Sequence, residues 1–353
     1  MYYTKKITIS LLCVFAVVLF TGCTVSQKSA QVGEEEKPHV AASIFPLYSI
    51  VQEVGGDRVK TSLLLPPGAS PHTFEPSPGL VREIQGVSRV FTIGLGLDAW
   101  VNGLAETVKG ARIIDTSTAV TLLPYSDRGL DHDDDHGHHE EGAHYDEHDD
   151  HEECGHQKKA DHPQECGDHE EGDHHEEGGH GHHHGEYDPH YWLDPENAKI
   201  LADFVAKELS AIDPDHQSYY TSRAKLFAED LARKNTEWQK KLSTLSSRDM
   251  LTFHDAWYYF AKHFNLDVVG TFEAFPGKTP TPKERALLHK TVKDRNISAV
   301  FLEPQLAQSA VRAFAEDTGL RISVIDPLGG NEITSTYIDL LEYNVMQVAE
   351  VLK

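Results

Sequence analysis

The chain has 353 residues, 39% hydrophobic and 25% charged, with 56 acidic residues against 32 Lys and Arg and a formal net charge of -24. Acidity of this order argues against a nucleic-acid partner, because phosphate binding needs the opposite sign. Four cysteines in a chain of this length do not imply a disulfide scaffold.

At the amino end, Lys5 and Lys6 precede an apolar run from Ile7 to Phe20 and then Thr21, Gly22 and Cys23, the pattern of a secretory leader of the lipoprotein kind. Phe20 stands where a smaller aliphatic residue is commoner. The run is shorter than the roughly 20 residues that a spanning helix needs. The expectation is an extracytoplasmic protein with residues 1–22 removed, lipid on Cys23 holding it to a membrane, and residues 23–37 as a flexible tether. Cys13 leaves with the leader, so only Cys154 and Cys166 remain for pairing or for a soft metal, and the sequence does not choose between these or neither.

Short β-branched runs then alternate with amphipathic segments, the rhythm of parallel strands joined by crossover helices. Strands are expected at Val40 to Ile44, Val59 to Leu65, Arg89 to Thr92 and Arg112 to Asp115, with helices near Leu47 to Val54, Pro78 to Gln85 and Ala99 to Val108. Together with the segment up to residue 213 they make a first α/β lobe, 38–213. In "GLGLDAW" the third glycine of a dinucleotide fingerprint is missing. Asp98 is expected there as a helix N-cap.

From Asp131 to Glu186 the chain carries 21 acids against Lys158 and Lys159, so most of the net charge sits in this one stretch, which also holds 16 of the 23 histidines. "HEEGAH", "HEECGH", "HEEGDH" and "HEEGGH" start at His139, His151, His169 and His175. A zinc-protease helix needs histidines at i and i+4. Here the spacing is i, i+5 with glycine inside, so residues 131–186 are expected to be a solvated, disordered loop that gathers divalent ions loosely.

His190 differs from the tract's histidines in its setting. In "DPHYWLDP" Pro189 and Pro195 stiffen the backbone, Trp192 and Leu193 offer buried anchors, and "PENAKILADFVAKEL" starts a helix. From about Asp215 to Leu245 there is neither glycine nor proline, which predicts one helix of about 45 Å at 1.5 Å per residue. It would join two lobes as a linking helix, 214–245, and limit their hinging.

The rhythm returns in a second lobe, 246–353. Strands are expected at Met250 to Phe253, Val268 to Thr271, Ala299 to Leu302 and Ile322 to Ile325, with helices at Ala256 to Phe264, Lys283 to Asp294, Ala307 to Asp317 and Tyr337 to Leu352. The fold class is therefore α/β, two lobes with parallel sheets. His72 lies in a proline-stiffened turn after a strand, His254 directly after one, and Asp326 at the end of another. The carboxyl edge of such sheets is where ligands bind. Each residue alone has a structural explanation, Asp255 and Asp326 as caps among them. Three imidazoles and a carboxylate are nevertheless an N/O set suited to tetrahedral zinc.

"SPHTFEPSP", "DPHYWLDPENAK", "TFHDAWYYFAKHF", "FLEPQ" and "VIDPLGG", in this order and with an acidic histidine loop before the second, closely resemble the zinc-specific solute-binding proteins of bacterial metal ABC transporters, the cluster A-I family. The resemblance runs from about Val40 to Lys353. It implies two (βα)4 lobes joined by a backbone helix, with Zn2+ in the interlobe cleft. His72 and His190 would come from the first lobe and His254 from the second, with Asp326 as fourth ligand and Glu75, Glu303 or water as alternates. The family's manganese branch usually has glutamate at the position of His254, and imidazole there suits zinc. The implied partners are a permease with a separate ATPase, since this chain has no G-x-x-x-x-G-K-[ST] motif, and a monomer is expected. Phe275 and Pro276 depart from the family's short acidic turn. A manganese or other divalent-metal protein, a metal-dependent adhesin, and more remotely a zinc hydrolase stand as alternatives; a non-enzyme is expected.

Overall fold

The structure, a computed structural model, describes residues 37–128, 186–273 and 277–353. The leader, Cys23, the acidic histidine tract with Cys154 and Cys166, and Ala274, Phe275 and Pro276 lie outside the described residues. Residues Lys37–Lys353 form one compact unit.

Strands β1 (His39–Ala42), β2 (Lys60–Leu63), β3 (Arg89–Thr92) and β4 (Arg112–Asp115) pair in parallel in the order β2-β1-β3-β4. β5 (Asp249–His254), β6 (Asp267–Glu273), β7 (Ala299–Leu302) and β8 (Arg321–Val324) repeat that order as β6-β5-β7-β8. Every expected strand is present, β3, β4 and β7 with the expected bounds and the others with ends moved by a residue or two. β7, "AVFL", is buried throughout, as central strands covered on both faces must be. Both sheets reverse their winding next to their first strand, which opens a crevice at the carboxyl ends of β1 and β3 and another at those of β5 and β7.

The connecting helices are α1 (Phe45–Gly55), α2 (Pro78–Glu83), α3 (Trp100–Glu106), α4 (Pro195–Ile212), α5 (Gln217–Leu242), α6 (Tyr258–Phe264), α7 (Pro282–Asp294), α8 (Ser309–Thr318) and α9 (Tyr337–Val351). α4 starts where Asp194 accepts from the Glu196 amide at 2.8 Å and Pro195 fills the first helical position. Asp98 does not cap α3. Its carboxylate turns back to accept from the amides of Ile93 and Gly94 at 2.7 and 3.0 Å, closing the turn after β3. Gly94, Leu95 and Gly96 all have positive φ in that turn, and the tightness of the turn claims the carboxylate.

The linking helix is shorter than expected. Pro214–His216 form a separate 3-10 turn, and α5 has 26 residues, about 39 Å. Asp213 accounts for the break, because its carboxylate takes both the His216 ring at 2.9 Å and the Tyr220 hydroxyl at 2.5 Å. Along α5, Tyr220, Ala224, Phe227, Leu231, Asn235, Trp238 and Leu242 are buried at steps of three and four, one continuous stripe.

That stripe belongs to a core shared by both sheets. Leu47 and Ile50 of α1, Leu201 and Val205 of α4, and Phe260, Tyr337 and Leu341 from the second half lie in one hydrophobic cluster with it. Fully burying each such side chain contributes roughly 1.5–3 kcal/mol. Polar cross-links fasten the same contact: Trp192 Nε1 donates to the Pro327 carbonyl at 2.8 Å, Tyr337 Oη to the Trp192 carbonyl at 2.6 Å, and the Leu123 amide to Tyr259 Oη at 2.8 Å. A continuous helix over a continuous core resists hinging. Small-angle scattering is expected to give superimposable profiles for metal-free and metal-loaded protein, and a large closure would contradict the shared core.

Candidate metal centre

His72 stands on the loop that leaves β2 at the edge of the first sheet. Prolines 66, 67, 71 and 76 restrict that loop, the Ala69 amide closes a turn onto the Pro66 carbonyl at 3.1 Å, and Trp100 Nε1 reaches the Pro71 carbonyl at 3.2 Å. The Trp100 ring meets Phe74 edge to face at 4.8 Å. The backbone on either side of His72 is thus held, although the ring itself is half-buried.

His190 is placed by the segment that rejoins the fold after the acidic tract. The Asp188 amide donates to the Leu123 carbonyl and the Tyr125 amide to the Glu186 carbonyl, both at 3.0 Å, tying 186–188 alongside 123–125. Asp188 Oδ1 then takes both the His190 amide at 2.9 Å and His190 Nδ1 at 2.8 Å. Trp192 lies against the ring, centroids 5.2 Å apart. His190 is 2% exposed and Asp188 fully buried.

His254 ends β5. The β5–β7 register pairs Thr252 with Phe301, so two residues on His254 falls opposite Glu303, just past the end of β7 at the sheet's switch point. Glu303 Oε2 lies 2.5 Å from His254 Nδ1, and Glu303 Oε1 accepts from Trp257 Nε1 at 2.9 Å. The glutamate is 1% exposed and His254 5%.

The three rings converge. Centroids are 5.7 Å apart for His72 and His190, 5.7 Å for His72 and His254, and 5.3 Å for His190 and His254. One ligand nitrogen from each lies within 4.8 Å of the others, and among the described residues this is the group of side chains fit to hold a metal ion. Bonds of about 2.0–2.1 Å at tetrahedral angles put nitrogens roughly 3.3 Å apart. A modest rotation of the rings gathers them. His254 Nε2 is buried without a hydrogen-bond partner, an atom that a cation would satisfy.

Asp188 and Glu303 each face an Nδ1. A carboxylate accepting from Nδ1–H selects the tautomer whose lone pair is on Nε2, aims the ring and raises its basicity. Burial disfavours the imidazolium of His254, but the nearby Glu303 carboxylate, with smaller help from Asp255 and Asp188, outweighs it, so the pKa rises above the ordinary histidine value.

Asp326 is not in the histidine group. It is buried, and its Oδ1 accepts from the Leu328 and Gly329 amides at 2.9 Å each and from Gln305 Nε2 at 2.7 Å. Neither Glu75 nor Glu303 joins the group either; Glu303 backs a ring instead. Sequence reasoning passed over Asp188, whose signal was the two-residue spacing to His190 in "DPH", and over Gln305 in "FLEPQ". Phe275 and Pro276 lie outside the described residues.

Comparison with known proteins adds to this geometry. The family model described as zinc-uptake complex component A, periplasmic (ZnuA), matches residues 40–351. A protein of Brucella abortus, the high-affinity zinc uptake system protein ZnuA, is 34% identical over 297 residues, 83% of this chain and 85% of its own. The zinc-binding lipoprotein AdcA of Streptococcus pneumoniae is 26% identical over 344 residues, covering 96% of this chain and 59% of its own length. A crystal structure of ZnuA superposes with a TM-score of 0.68 at 26% identity, over 90% of this chain and all of the other.

Asp188→Asn and Glu303→Gln should each weaken metal binding on the order of 10–100-fold while the protein stays folded; competition against a chromogenic chelator measures this. Because a metal takes only neutral imidazole and the His254 pKa is raised, protons compete as the pH falls through that raised value, above the ordinary 6.5. Conversely, the His254 imidazolium paired with Glu303 stabilises the metal-free fold fully below 6.5 and is lost as pH rises through the raised value. The rise in Tm on adding metal should therefore shrink steadily as pH is lowered from 8 through 6.5; a rise that does not change with pH would contradict this electrostatic reading.

Proposed function

The chain belongs to the periplasmic zinc-uptake complex component A family, and on that premise we propose that it captures Zn2+ outside the cytoplasm and delivers it to an ABC permease powered by a separate ATPase. The protein acts as a monomer, held to a membrane by lipid on Cys23. His72, His190 and His254 are its zinc ligands. The observation that carries this reading is the meeting of three imidazoles from two loops and the end of β5, two of them backed by buried carboxylates. Nitrogen donors favour zinc over manganese, whose preferred sphere is oxygen-rich.

Binding rather than hydrolysis fits the space available. The cavity at the histidines is about 20 Å3, lined by His72, His190, His254, Glu303 and Gln305 with apolar walls from Trp192 and Leu306. That is room for a single ion or water. A zinc hydrolase needs a substrate pocket beside its metal.

The acidic histidine tract serves as a weak antenna that raises zinc near the cavity. Metal analysis and calorimetry on the full chain and on a deletion of residues 131–185 test both parts. One tight site should survive the deletion while several weak ones vanish. His72→Ala, His190→Ala and His254→Ala should each abolish the tight site, and retention of tight binding in all three variants would refute the assignment.

A further inference from the structure

A zinc ion on three imidazoles still lacks a fourth donor. Among the residues that line the cavity, the candidate oxygens are few. Glu303 spends one oxygen on the Trp257 indole and sets the other against the His254 ring. Asp326, whose Oδ1 receives three donors, is not a lining residue. Gln305 is one, and its Oε1 is buried without a hydrogen-bond partner.

The orientation of the Gln305 amide follows from its partner. A carboxylate oxygen accepts and does not donate, so the group facing Asp326 Oδ1 at 2.7 Å must be the amide nitrogen. The carbonyl is then directed away from Asp326. The aspartate is itself immobilised, by the Leu328 and Gly329 amides on its side chain and by Asn344, which bonds both its amide and its carbonyl at 2.7 Å.

Resting on the zinc reading above, we infer that Gln305 Oε1 supplies the fourth, neutral oxygen to the zinc ion and that Asp326 is the positioning residue that aims it. Charge favours this choice. Asp188 and Glu303, both buried, already balance a divalent cation. Asp326, also buried, has its Oδ1 met by the Leu328 and Gly329 amides and by Gln305. A neutral amide completes the sphere and holds the ion less firmly than a carboxylate, as suits a protein that must release its cargo.

Gln305→Met, which keeps the shape and removes the oxygen, and Asp326→Asn, which keeps an acceptor for the three donors, separate the roles. Zn2+ affinity is measured by chelator competition, and Co2+ is used as a spectroscopic stand-in, with His254→Ala as reference. The expected result is a loss on the order of 10–100-fold for Gln305→Met with displaced Co2+ d–d bands, while Asp326→Asn, whose amide can also donate and so no longer fixes the Gln305 carbonyl, gives a smaller loss than Gln305→Met. An unchanged Co2+ spectrum in Gln305→Met overturns the inference by itself, even if Asp326→Asn fails to fold. So does a loss in a folded Asp326→Asn as large as that in His254→Ala, which would make the aspartate a ligand. If His254→Ala binds zinc like the parent, the zinc reading falls instead, and the two failures are told apart.

Discussion

Two buried imidazoles, a third that is half-buried, and two buried carboxylates are packed together, and this crowding is the constraint on which the other features depend. Taking charged and polar groups out of solvent is costly unless they find partners. Asp188 hydrogen-bonds the His190 ring and Glu303 stands at ion-pair distance from His254 Nδ1, while His254 Nε2 has no hydrogen bond. The cluster is therefore incompletely satisfied by the protein's own atoms, and a small divalent cation of borderline softness is the species that supplies what it lacks.

Such an arrangement works only if the loops carrying it do not drift. His72 and His190 depend on the first sheet and its connections, His254 and Glu303 on the switch point of the second. The relation between the sheets is fixed by the stripe of α5, by the shared core, and by Trp192, whose ring flanks His190 while its indole and carbonyl bind Pro327 and Tyr337. One residue thus ties a candidate ligand to the segment that follows Asp326. Rigidity of this kind puts selectivity into the preset spacing of donors, with little left to domain closure.

Within the proposed cycle, the negative charge of the chain and the precision of the site do different work. The acidic tract carries most of the net charge and needs no fixed geometry to attract cations. The cavity carries little excess charge once an ion is bound, and its discrimination comes from donor type. The elevated pKa of His254 belongs to the same design, since the carboxylate that sharpens the ring for zinc also draws a proton to it when zinc is absent.

Much of this was legible in the sequence, because local chemistry writes it there. Parallel strands covered on both faces read as short apolar runs, a long stretch without glycine or proline reads as a helix, and prolines around His72 and His190 mark turns that hold a side chain still. Where the expected local structure differed, another neighbour in the same turn had claimed the group. Asp98 turned back to close a tight turn, and Asp213 broke the first turn of the linking helix. Residue types and their order thus determined the lobes, the linking helix and the histidines worth considering. That Glu303 backs the His254 ring, and that the three imidazoles meet, was decided only by tertiary structure, because a hydrogen-bonding group pairs with whatever the fold brings within 3 Å of it, and that distance is not written along the chain.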